Sequence, residues 1–157
     1  GVTGSITGGT DTNIEFNTGT LSLPQLNFGS TALPFQWRAY GTELSLCQRY
    51  FVSFGGDDPY ERFGPGMVTG GTTGYVTVVL PTTMRALPTL STVSANFAVL
   101  SATAGVLSIS TPTLAGTSTK VANLNFFGAS STMTNGQATQ LITNNTTSPR
   151  IQFSAEL

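Results

Sequence analysis

The sequence predicts an all-β protein: an antiparallel β-sandwich, jelly-roll-like, with one short α-helix near residues 42–51. Three observations predict it. Short runs of Val, Ile, Leu, Phe and Thr alternate with polar residues and are closed by Gly, Pro, Asn or Ser every 8–12 residues or so, a spacing typical of sandwich strands. Threonine, which favours strands, supplies 27 of the 157 residues, and glycine another 18. Only one segment carries a helical period, so the crossover helices of a parallel α/β sheet are not available.

Residues 1–12, rich in Gly, Thr and Ser, read as a flexible arm or linker, leaving residues 13–157 for a single domain. Ile14 and Phe16 alternate with polar neighbours. Residues 20–28 alternate again, with Leu21 and Leu23 on one face and Pro24 forcing an edge or a bend. Residues 29–35 form a connector in which Pro34 holds Leu33 extended.

In the helix, Tyr40, Leu44, Cys47 and Phe51 recur at i, i+4, i+7 and i+11 and mark one face. Thr42 is the expected N-cap. Glu43 falls in the first turn and Arg49 in the last, as the helix dipole favours. The stripe predicts that Leu44 and Cys47 pack against a sheet.

A strand is expected at residues 51–54, then a long irregular loop over residues 55–70, then the strongest strand of the chain at residues 74–80, closed by Pro81. Further strands fall at 89–94, 96–102, 106–110 after the Ala104-Gly105 turn, and 121–127 before Gly128. Residues 132–143 predict a hairpin around Asn135-Gly136, a pair suited to a type I′ turn. After a turn at 144–149, Ile151, Phe153, Ala155 and Leu157 alternate to the last position and predict a strand tied into a sheet. The count is eight to ten strands.

Composition excludes several functions. Charged residues make up 8% of the chain, against about a quarter in an average domain, and the net charge is -1. The 39% of hydrophobic residues argues against disorder, which combines low hydrophobicity with high net charge. The six Lys and Arg are scattered from Arg38 to Arg150 and form no phosphate-binding cluster, so no nucleic-acid partner is expected. No apolar run reaches the length of a membrane-spanning helix.

Cys47 stands alone, which rules out an intrachain disulfide, and the chain has no His to serve as base for a Cys or Ser nucleophile. No enzyme activity and no cofactor are expected. A surface of hydroxyls and amides is poorly defended against self-association, so the chain reads as an obligate oligomer or a part of a larger assembly, the alternative being an extracellular β domain that is simply Thr-rich.

Eight of the thirteen charged residues fall within residues 38–85, and Asp57, Asp58, Glu61 and Arg62 crowd into one glycine-rich stretch. Asp57, Asp58 and Glu61 could offer oxygens to Ca²⁺, but the D-x-D-x-D-G spacing of a calcium loop is missing, and no metal site is assigned. A carboxylate pair for glycoside hydrolysis needs a defined separation that spacing in sequence does not supply. A third reading is a binding loop. Asp57 and Asp58 offer acceptors, Tyr60 and Phe63 offer rings that stack on sugar faces, and Arg62 offers a donor fork, which makes these five the candidate receptor-binding residues. Against it stands a plain turn at Asp57-Asp58-Pro59, with the arginines paired to acids between subunits or domains. Asn144-Asn145-Thr146-Thr147 holds two formal glycosylation sequons, which an Asn-rich turn explains equally well.

Residues 26–51 resemble a segment of tailed-bacteriophage virion structural proteins, with the pattern R-x-Y-G-x-E-L-x-L-C-Q-R-Y. Gly29, Ser30, Ala32, Pro34, Phe35, Arg38, Tyr40, Gly41, Glu43, Leu44, Leu46, Cys47, Gln48, Arg49 and Tyr50 carry the match, whereas Leu33 and Gln36 depart from it. Residues 80–89, including Pro81, Thr83, Met84, Arg85, Ala86, Pro88 and Thr89, resemble a second stretch of the same proteins. The family lies at the carboxyl ends of fibre proteins and in other virion components, and brings no catalytic residues. The resemblance implies a virion protein, most simply a homotrimeric fibre or tail-tip domain that attaches to a host surface polysaccharide. The alternative it implies is a capsid decoration or head-fibre protein, with residues 1–12 clamping the shell. Its partners would be further copies of itself and other virion proteins.

Overall fold

In a computed structural model of the chain, the residues described are 20, 33–128 and 133–156. The chain divides into two units, residues 1–39 and 40–157. In the first, the Phe35 and Trp37 rings meet edge to face, 5.2 Å between centroids. The arm expected at 1–12, its boundary with a domain at 13, the strands expected between 13 and 28, and Leu157 lie outside the described residues.

The second unit is an antiparallel β-sandwich. It opens with helix α1 (Tyr40–Gln48), followed by β1 (Phe51–Phe54), β2 (Arg62–Val68), β3 (Thr73–Val79), β4 (Thr89–Val93) and β5 (Phe97–Ser101). Then come β6 (Gly105–Ile109), β7 (Thr113–Thr117), β8 (Val121–Phe127), β9 (Ala138–Thr143) and β10 (Arg150–Ser154). One sheet has three strands in the order β1-β10-β4, and the other has seven in the order β6-β5-β9-β2-β3-β8-β7. The division is three to seven, unlike the eight strands in two Greek keys of a regular jelly roll.

Alternation builds the core. On β3, Val76 and Val78 point inward while Tyr75 and Val79 face out; on β8, paired with it, Ala122, Leu124 and Phe126 point inward while Asn123 and Phe127 do not. From the smaller sheet Val52, Ile151 and Phe153 enter the same cluster. Phe54 and Phe153 meet edge to face at 6.1 Å, and Phe63 lies against Phe97 at 6.0 Å.

Four expectations need correction. Residues 62–68 are a strand inside the larger sheet, where a loop was expected. Glycines 64 and 66 and Pro65 are break signals, yet Pro65 pairs only with β9, and the β3 ladder begins after it at Gly66, so its missing N–H costs no bond on that side. The second correction is an added strand, β7, which follows Pro112 and bulges between Leu114 and Gly116, so its alternation is broken. The third concerns the 132–143 hairpin. Residues 133–134 form no strand, and β9 pairs with β2 and β5. The turn itself is present, closed by the Gln137 N–H donating to the Thr134 carbonyl, but only Gly136 has a positive φ, which is not type I′.

The fourth correction is the helix. It forms, but it starts at Tyr40, so Thr42 lies within it and caps nothing, and it buries no residue. Leu44 is 40% exposed and Cys47 is exposed, where burial was expected. The reason lies in how the helix is anchored. The Arg85 N–H donates to the Arg49 carbonyl and the Ala155 N–H to the Tyr50 carbonyl, so among the described residues these backbone bonds tie the chain just past the helix, and no apolar side chain of the helix, to the sandwich.

Candidate functional site

The β1–β2 loop, residues 55–61, is held in shape by its own residues together with Thr143 and Arg150. Gly55 and Gly56 turn the chain at φ 99° and 109°, a region that L side chains rarely adopt. Glu61 then reaches back: its two carboxylate oxygens accept the N–H groups of Gly55 and Asp57, each at 3.1 Å. The backbone of Glu61 is held by Thr143, at the end of β9. Its N–H donates to Thr143 Oγ1 at 2.9 Å, and its carbonyl accepts the Thr143 N–H at 3.0 Å. The Thr143 hydroxyl in turn donates to the Asp58 carbonyl at 3.1 Å. Arg150, at the start of β10, lies beside Gly56, its Nη1 donating to the Gly55 carbonyl at 3.5 Å.

This frame sorts the five candidate residues. Asp57, Asp58 and Tyr60 are exposed on the loop, and neither aspartate carboxylate has a partner among the described residues. Arg62, first in β2, is exposed, with its Nε donating to Gln140 Oε1 at 2.9 Å. Phe63 is a correction: it is 8% exposed and its ring packs on Phe97, so it belongs to the core. The reversal occurs at a bulge, where Arg62 pairs with Ile142, Gly64 with Leu141, and Phe63 is the extra residue between them.

Chemically, the loop offers a half-exposed ring, two carboxylates and a guanidinium at one end of β2. That set suits the ring faces and hydroxyls of a sugar or the side chains of a protein. It does not suit a cation: Glu61 is committed to two backbone N–H groups, and no group of three or more His, Cys, Asp or Glu gathers among the described residues. Glu61, which the sequence offers only as one more carboxylate of the loop, is its clasp. Thr143 was overlooked, and its only signal was a Thr at the end of an apolar run.

Two further surfaces were not foreseen. An open groove of about 370 Å³ runs between β4 and β7, each an edge strand of its sheet, and is lined by Pro88, Leu90, Thr92, Pro112 and Leu114. The other is the exposed face of α1, continued by Tyr50 and Phe51.

No protein-family model matches the chain, no curated protein is significantly similar to it, and no solved structure is significantly similar to it.

Proposed function

We propose that the chain is a structural protein of a tailed-bacteriophage virion, a homotrimeric fibre or tail-tip domain that attaches to a host-surface glycan through the β1–β2 loop. The observation that carries the reading is the residue-by-residue resemblance over residues 26–51 and 80–89. The loop supports attachment: Tyr60 and Arg62 stand exposed on a frame already hydrogen-bonded in place, which lowers the ordering cost of binding. The large aromatic and aliphatic side chains exposed around α1 support assembly with further protein.

Immunogold labelling of intact particles tests the reading. Label at the tail or fibre tips is expected. Label confined to the head would replace attachment with capsid decoration, and absence from purified particles would overturn the virion assignment. Attachment itself is tested by host-cell adsorption of the Tyr60→Ala, Arg62→Ala double variant, which is expected to be lost.

A further inference from the structure

We propose that the exposed face of α1 and the Asp57-Asp58 turn are the two halves of one head-to-tail interface between copies of this chain. The inference rests on the oligomer in the preceding reading and adds where the copies meet.

The helix needs a cover. It has nine residues, shorter than an isolated helix can sustain in water, and buries none of them. Tyr40 is 81% exposed, Leu44 and Leu46 of the helix and Tyr50 and Phe51 just past it are exposed as well, and Leu87 is close to Arg85 in the chain. Arg85 lies over the Tyr50 ring at 5.3 Å, so the segment at 85–87 borders the helix end.

Charge names the occupant. At the carboxyl end of α1 the Arg49 guanidinium has no partner among the described residues, and Arg85 has only the Tyr50 ring. In the loop that follows β1 stand Asp57 and Asp58, whose carboxylates likewise have no partner among the described residues. β1 and the Gly55-Gly56 turn lie between Arg49 and the two aspartates in the chain. Among the described residues, two cations without a carboxylate partner thus border an apolar face, and two carboxylates without a cationic partner lie past the next strand.

They do not neutralise each other within one copy, but a second copy placed head to tail pairs them while covering the helix. A head-to-tail contact closes into a ring where its rotation allows, which is how a trimer of identical chains is built. Tyr60, on the same loop, and Arg62, first in β2, would then flank the junction between copies.

Cys47 reports on the cover, because it is the single thiol of the chain and lies on α1. In the wild-type oligomer its reaction with a maleimide is expected to be about tenfold slower than in a diluted monomer, a factor that corresponds to about 1.4 kcal/mol. Arg49→Glu with Arg85→Glu is expected to dissociate the oligomer in light scattering, as is Asp57→Lys with Asp58→Lys. All four changes in one chain are expected to restore it. An oligomer indifferent to these reversals, or one in which Cys47 reacts at the monomer rate, would overturn the interface and leave the oligomer standing. Cys47 protection that persists in the diluted monomer would mean that the same chain covers the helix, and would also overturn it. A monomer at every concentration would overturn both the interface and the trimer. None of these outcomes depends on where the chain sits in a virion.

Discussion

Thr143 and Glu61 hold each other twice: the Glu61 N–H donates to the Thr143 hydroxyl, and the Thr143 N–H donates to the Glu61 carbonyl. Thr143 is fully buried at the end of β9, a strand inside the larger sheet, so the β1–β2 loop is pinned to the core. Glu61 passes the constraint on by clasping the N–H groups of Gly55 and Asp57. The loop is therefore shaped before any partner arrives, which favours binding without an ordering cost.

Replacing Thr143 with Val keeps the shape and deletes the hydroxyl. The Glu61 N–H loses its shorter acceptor, and the Asp58 carbonyl keeps only the 3.3 Å bond from Glu61. A loss of about 1–3 kcal/mol is expected in urea unfolding. Faster hydrogen exchange at the Glu61 amide should accompany it. Thr143→Ser keeps the hydroxyl and should retain most of the stability.

Gly55 and Gly41 should respond oppositely to alanine. A Cβ on Gly55 would run into the Pro149 carbonyl, at a φ that disfavours any side chain, so Gly55→Ala should cost more than about 1 kcal/mol. Gly41 lies in α1 with open space where a Cβ would go, and Gly41→Ala should gain up to about 1 kcal/mol through helix propensity. Thermal melts of the two variants, shifted in opposite directions, would check both.

Leu124 and Leu44 separate core from surface. Leu124 is buried in β8 among core side chains, so Leu124→Ala should cost about 2–5 kcal/mol. Leu44 is exposed on α1, and Leu44→Ala should cost the isolated chain less than about 1 kcal/mol in urea unfolding. A large loss at Leu44 in a dilute monomer would mean that the helix is packed within its own chain.

Sequence reading succeeded where one rule governed each residue. Asn123 and Asn125 alternate with Ala122, Leu124 and Phe126 within residues 121–127, and β8 spans those same residues. It went astray where two rules competed. Glycines 64 and 66 and Pro65 announce a loop, but Phe63 and Val68 are buried in the core, and that burial holds the segment in the sheet. The stripe through Tyr40, Leu44 and Cys47 was legible, but periodicity says only that a helix has an apolar side and not that the same chain covers it. Of the candidate site, the exposed group of Asp57, Asp58, Tyr60 and Arg62 was legible from composition. The clasp formed by Glu61 and Thr143 joins residues 82 positions apart and has no local signature.

Tyr60, Arg62 and Phe63 together test whether the loop attaches the particle to its host. Tyr60 is exposed, and the bond from Arg62 to Gln140 lies on the surface, where such contacts contribute about 1 kcal/mol or less. The Tyr60→Ala, Arg62→Ala variant should therefore melt close to the wild type while losing adsorption to host cells. Phe63→Ala should behave differently. It empties a core position against Phe97 and should cost about 3–5 kcal/mol, so any lost adsorption would track a lowered melting temperature. Adsorption measured beside a melting curve distinguishes the two routes. A folded double variant that still adsorbs would move the receptor site off this loop, and the groove between β4 and β7 would be the next surface to mutate.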